Sequence, residues 1–394
     1  MKRREFLKQS TLATVGTWLI PSFLKAFEEQ NINFAGKRLI IIQLSGGNDG
    51  LNTIVPFEND IYYNTRPRLA IPKENVLKLN SEQGLHPIMS KMKQLYDEGL
   101  LCIFNSVGYP NPDRSHFRSM DIWHTASDSN EYLSSGWIGR FLDANCEKNC
   151  KAFSAIELDD TLSLAMKGEK VKGLALQNPE KFYKMAKNKK INSSQNHHHE
   201  HENVAYLYKT LSETVSSAEY IYEKNKIQKT SVDYPQNEFG QRLKTISQMI
   251  KSGLEIEVYY ASLSGFDTHV NQLNTQERLL GIYSDAIYSL VTDLKQSGNL
   301  DNTLILTFSE FGRRVAQNAS GGTDHGTANN LFIIGNSLKK KGFYNSSPKL
   351  ESLDEGDLKY EIDFRSIYAT ILKNHLNVPI NSILGKNVEQ LYFL

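Results

Sequence analysis

The segment RLIIIQL, Arg38 to Leu44, runs straight into Ser45-Gly46-Gly47-Asn48-Asp49-Gly50, and it constrains the fold more than any other stretch. A continuous apolar run has no polar face to offer water, so it reads as a strand covered on both sides, the kind found in parallel sheets. Similar runs recur at Leu101–Val107, Phe153–Leu158, Val171–Leu176, Glu255–Ser262, Thr303–Phe308 and Leu331–Ile334. Between them lie helical patterns. Ile88–Glu98 is apolar at 88, 89, 92 and 95, and Leu273–Gln296 repeats Leu279, Leu280, Tyr283, Ile287, Leu290 and Leu294 at helical spacing. Strands alternating with helices predict an α/β fold with a mainly parallel sheet. A chain of 394 residues can bury a large core.

The N-terminus carries a different message. Arg3 and Arg4 are adjacent, Phe6-Leu7-Lys8 follow, and an uncharged, mostly apolar stretch runs from Ser10 to Phe23. This is the pattern of a signal peptide, and the paired arginines select the twin-arginine route. Residues 1–30 are therefore expected to be the export signal, engaged by the twin-arginine translocase, and residues 31–394 a single domain in the periplasm or cell envelope. The apolar stretch is shorter than the ~20 residues that span a bilayer comfortably, and no second stretch approaches that length. A net charge of +1 gives no argument for nucleic acid. Of three cysteines, Cys102 sits in an apolar run and reads as a core thiol, while Cys146 and Cys150 lie at a helical spacing poor for a disulfide. Residues 184–203 hold His197, His198, His199 and His201 among Lys, Asn and Ser, and read as a solvated, flexible loop.

Polar groups gather after the strands, where open α/β sheets bind ligands. Asp49 follows the first strand, although the segment around it is also an ordinary glycine-rich turn. Asp113-Arg114-Ser115-His116 follows the second and opens a helix with Phe117, Met120 and Trp123 expected on one face. Ser115 or His116 would lie at the helix N-terminus, where free N–H groups favour an anion, or Asp113 or Ser115 would simply cap the helix. Asp267 and His269 follow the strand at 255–262, Glu310 and Arg313 follow Thr303–Phe308, and Asp324-His325 precede Leu331–Ile334. Ten histidines are present; outside the 184–203 loop, His116, His269 and His325 fall in these motifs, and His86, His124 and His375 read as structural. Carboxylates with imidazoles suit a divalent ion such as zinc or manganese, one or two of them.

The strings LSGGNDGLNT, RSHF, GFDTH and TFSEFGRRVAQNASGGTDHGTANN resemble the domain of unknown function 1501 family, whose members are placed in the alkaline phosphatase and sulfatase superfamily. The resemblance covers the chain from about Arg38 onward. It implies an alkaline-phosphatase-like, doubly wound sheet with helices on both faces and metal ligands at strand ends. Carried over by motif, the metal ligands would be Asp49, Asp267, His269, Glu310, Asp324 and His325. Ser115 falls near the nucleophile's place, with His116 competing for it, and Arg114 or Arg313 would hold the developing charge. Phe311 stands where the superfamily has a metal-binding histidine, and no formylglycine motif is present. The implied activity is hydrolysis of phosphate or sulfate esters of small molecules or glycans. The alternative is a non-catalytic envelope protein that uses the fold to bind a partner or glycan.

Overall fold

The computed structural model describes residues 36–149, 153–187, 215–226 and 228–394. The export signal, the Cys146–Cys150 pairing and the histidine run at 197–201 lie outside the described residues and side chains. Lys184 to Ala186, placed in a loop by composition, close a helix spanning Pro179–Ala186.

Nine strands form the central sheet. They are β1 (Arg38–Ser45), β2 (Leu101–Gly108), β3 (Ala155–Glu157), β4 (Leu174–Ala175), β5 (Val258–Ser264), β6 (Thr303–Phe308), β7 (Asn329–Ile334), β8 (Gly342–Phe343) and β9 (Ile362–Asp363). The order is β8-β2-β7-β6-β1-β5-β3-β4, with β9 also on β2. β1 pairs in parallel with both β5 and β6, Ile41 lying between Tyr260 and Leu306. Only β7 runs the other way, antiparallel to β2 and β6. The strands at 153–158 and 171–176 are shorter than the apolar runs suggested, and two-residue strands such as β8 carry no sequence signal of their own.

Alternation along β1 divides the interior in two. Ile40, Ile42 and Leu44 face a core shared with α1 (Ser90–Asp97), α4 (Glu238–Lys251) and α5 (Gln272–Gln296). Leu39 and Ile41 face the opposite core, with α2 (His116–Thr125), α3 (Trp137–Asn149) and α6 (Phe364–Thr370). Apolar residues on both faces explain why the strand sequence is continuous rather than alternating. Cys102 is a free, buried thiol in the second core, its pKa pushed up to about 12 by burial. In α2 the buried residues are Arg118, Ser119, Ile122, Trp123, His124 and Thr125. The expected Phe117–Met120–Trp123 face is corrected, because Phe117 is 85% exposed. Burial pushes His86, His124 and His375 down to about 4, so they stay neutral near pH 7. His124 Nε2 meets the Tyr260 hydroxyl and His375 Nε2 meets the Arg38 carbonyl, as core histidines do. No helix among the described residues is long and apolar enough to cross a membrane.

Candidate metal centre

The reversed strand builds the site. Parallel β1, β2, β5 and β6 all end at one edge of the sheet, and β7 begins there. The loops after β1, β2 and β5 and the single loop that joins β6 to β7 therefore meet. Gly46 holds two of these loops together: at φ +119°, a Cβ on it would lie 2.5 Å from the Asp267 backbone nitrogen.

Three imidazoles converge on Asp267. His325 Nε2 lies 3.1 Å from Asp267 Oδ1, His269 Nε2 lies 3.1 Å from the same oxygen, and His116 Nε2 lies 3.5 Å from Oδ2. His269 Nε2 and His325 Nε2 are 3.0 Å apart. Each ring is held from behind through Nδ1. The partners are Glu310 Oε1 at 3.0 Å for His116, Asp324 Oδ1 at 3.3 Å for His269 and the Arg114 carbonyl at 2.8 Å for His325. All three are acceptors, so each neutral ring carries its proton on Nδ1 and turns an Nε2 lone pair towards Asp267. Two lone pairs facing each other at 3.0 Å, next to a carboxylate, repel unless a cation lies among them. The ligand atoms of His116, Asp267 and His325 all lie within 4.8 Å of one another, a spacing that suits a divalent ion. His116 Nε2 is buried without a hydrogen-bond partner, as is Glu310 Oε2. His116, Asp267 and His325 form the group with metal-binding spacing among the described residues.

Electrostatics agrees with the geometry. Burial pushes Asp267 up, but the hydrogen bond and charge of Arg313, with the neighbouring imidazoles, outweigh it and hold the carboxyl at about 2. The hydrogen bond to Glu310 raises the pKa of His116, against the effect of burial. Glu310, completely buried, also accepts the Gly46 N–H at 2.8 Å.

The residues singled out by motif take three kinds of place. Asp267, His269 and His325 come together, and His116 joins them rather than standing apart as a competing nucleophile. Glu310 and Asp324 lie behind imidazoles. Asp49 lies elsewhere: its buried carboxylate pairs with Arg66 at 2.6 Å, accepts from Gln272 and caps the short helix at Gly50–Thr53. Arg313 is enclosed as well. Its guanidinium donates to the carbonyls of Gly46, Gly47, Phe266 and Thr323 and to Asp267, and its side chain is fully covered, out of a substrate's reach. Arg114 pairs with Asp357, yet its side chain remains 38% exposed. Ser115 is exposed at the N-terminus of α2, and its hydroxyl does not cap the helix. Phe311 lies against His116 and His325, ring centroids 4.8 Å apart in each case.

The family description "protein of unknown function (DUF1501)" matches residues 105–386, most of the chain. The chain belongs to the DUF1501 family. No curated protein sequence matches this DUF1501 protein. Solved structures similar to it include the lipoteichoic acid synthase LtaP from Listeria monocytogenes, with 11% identity, 91% of this chain and 74% of that chain covered, and a TM-score of 0.39. The PsFucS1 sulfatase from Pseudoalteromonas sp. has 13% identity, coverage of 91% and 71%, and a TM-score of 0.39. A protein in the alkaline phosphatase superfamily from Vibrio parahaemolyticus has 9% identity, coverage of 90% and 70%, and a TM-score of 0.37.

Proposed function

We propose that this protein is an exported, metal-dependent hydrolase of phosphate or sulfate esters. The observation that carries the reading is the set of three imidazoles, proton-fixed at Nδ1, whose Nε2 atoms meet at Asp267. His116, Asp267 and His325 would hold one divalent ion, zinc or manganese, with His269 beside them. A bound ion would supply Lewis-acid polarisation of the ester oxygens. Glu310, Asp324 and the Arg114 carbonyl orient the rings, and Arg313 fixes Asp267.

Ser115 is the proposed nucleophile. It stands one residue before His116 at the start of a ten-residue helix, where exposed N–H groups attract an anion. Its oxygen would bond to phosphorus or sulfur while the bond to the leaving alcohol breaks, and water would then release the serine. Arg114, partly exposed, would meet the non-bridging oxygens.

The test uses full-length protein matured through its own export route, with metal analysis and a panel of phosphate and sulfate esters. We expect about one equivalent of zinc or manganese, loss of that metal in Asp267→Ala and His325→Ala, and esterase activity that a chelator removes. Ser115→Ala should retain the metal and lose at least 100-fold in turnover, the lower end of what removing an activated nucleophile does. Replacing Arg3 and Arg4 with lysine should leave the chain inside the cell. Absence of stoichiometric metal, together with wild-type behaviour of both ligand variants, would sink the hydrolase and favour a non-catalytic binding protein.

A further inference from the structure

Two arginines beside the histidine cluster share one buried carboxylate. Arg114 Nε donates to Asp357 Oδ2 at 2.8 Å, and Arg114 Nη2 meets the same oxygen. Arg314 Nε lies 3.8 Å from the other oxygen, Oδ1. Both arginines are also tied to the loop that carries the cluster. The Arg114 carbonyl backs the His325 ring, and the Arg314 N–H donates to the Asp324 carbonyl at 3.0 Å. Asp324 is held below its ordinary pKa mainly by a hydrogen bond from Asn318, and the Arg314 charge contributes.

Asp357 is firmly mounted. It belongs to a hairpin that pairs Leu353–Asp354 with Asp357–Leu358 and turns at Glu355 and Gly356, whose φ values are +50° and +90°. Positive φ at both positions marks a tight hairpin turn. The Val315 N–H donates to the Gly356 carbonyl at 3.4 Å, and the Thr327 hydroxyl donates to the Leu358 carbonyl at 2.6 Å. The hairpin is thus bound to the chain on either side of Asp324-His325. Arg314 lies over its turn, with Nη1 3.6 Å from where a Cβ on Gly356 would stand. The second arginine exceeds what the fold needs. A fully buried carboxylate requires a cation, and Arg114 provides it. The Arg314 side chain is 39% exposed, and Asp357 Oδ1 accepts no hydrogen bond, so their contact is charge on charge and adds little stability. The other carboxylate nearby, Glu355, is 81% exposed and 3.9 Å from Arg114, where water screens it.

We propose that Arg314 binds a second anionic group of the ligand, so that the site takes molecules carrying a carboxylate close to the group held at the histidine cluster. The proposal rests on the hydrolase reading for the identity of that first group alone. Arg314 turns its Nε edge to Asp357, which leaves both Nη groups for a ligand. A guanidinium offers parallel N–H bonds that match the two oxygens of one carboxylate. Asp357 is then a positioning residue that sets the two arginines side by side, Arg114 next to Ser115 and His116, and Arg314 beyond it. A ligand with an ammonium at the second place would be repelled.

The test is calorimetric titration of the full-length protein with phosphonates, which have no ester bond to cleave. Methylphosphonate carries the first anionic group alone. Phosphonoacetate and phosphonopropionate add a carboxylate, and aminomethylphosphonate adds an ammonium instead. At least one of the two carboxylates should bind about tenfold tighter than methylphosphonate, the order that one charge-assisted hydrogen bond brings. Aminomethylphosphonate should bind more weakly than methylphosphonate. Arg314→Gln should abolish the preference and leave methylphosphonate affinity unchanged, and Arg314→Lys should keep part of it. Arg278→Gln, which removes an exposed arginine on α5, should change neither. The preference is a ratio read without turnover, so it stands where hydrolysis fails, and its loss leaves the hydrolase reading intact. Absence of saturable binding, equal affinity for the probes with and without the carboxylate, an Arg314→Gln protein that keeps the preference, or an Arg278→Gln protein that loses it as fully would overturn the proposal.

Discussion

At the scale of single residues, the buried cations explain why the site loops hold their shape. Arg66 is fully buried and bonds Asp49, Asn52 and the carbonyls of Arg314 and Val315, tying the loop after β1 to the segment that follows Arg313. Arg66→Met should destabilise the protein by roughly 3–5 kcal/mol, because Asp49 would remain as an unpaired buried charge. Changing Asp49→Asn as well should recover much of that loss. Urea unfolding of the two variants checks both outcomes, and a single variant with unaltered stability would remove Arg66 from this role. Gly47 shows a different restriction. Its φ is +73°, and a Cβ there would lie 2.2 Å from Phe311 Cε2. Phe311, which packs on His116 and His325, is thus seated against a glycine that makes room for it.

At the scale of elements, helix starts show what local chemistry contributes. Asp363 caps α6, its side chain accepting the Arg365 N–H at 2.9 Å. The carboxylate also grips the Arg365 guanidinium, so Asp363→Ala should cost more than the ~1 kcal/mol of a cap alone. Thermal unfolding against wild type measures it, and no change in midpoint would refute the assignment. Much of this level was legible in the sequence. Strands buried on both faces leave continuous apolar runs, and β6 was legible to the residue. Asp267, His269 and His325 were legible because ligand groups cluster where strands stop. Other features were not. Asp49 has the form of a ligand, but its partner Arg66 lies 17 residues away and nothing in the intervening sequence announces it. Spacing does not reveal whether a carboxylate such as Glu310 faces an ion or backs the histidine that does.

At the scale of the whole molecule, the buried titratable groups set the response to pH. His86, His124 and His375 are held at about 4 from an ordinary 6.5. Between those values the unfolded chain takes up protons that the native one refuses, so stability falls as pH drops from 6.5 towards 4. Glu157 opposes them: burial raises it from 4.5 to about 7, so its contribution is lost as pH rises across that window. Three groups against one leave about two protons net, a slope of roughly 2.7 kcal/mol per pH unit at its steepest. Denaturant midpoints between pH 4 and 7 should fall on the acid side, and His124→Gln should flatten the slope. A midpoint that rises with acid would refute the balance. The reversal of β7 has one more consequence, for the order of folding. β6 and β7 are neighbours joined by a single loop, and that loop carries Glu310, Arg313, Asp324 and His325 together. Asp267 must arrive from 58 residues before His325, and His116 from 194 residues before Glu310. His325 and the carboxylates Glu310 and Asp324 behind the other rings can thus be placed by one local hairpin, while closure waits for distant strands to dock, a slower event. An ion held as proposed by His116, Asp267 and His325 would be captured by the finished fold alone, and its uptake would then be a late signal that the chain has reached its native state.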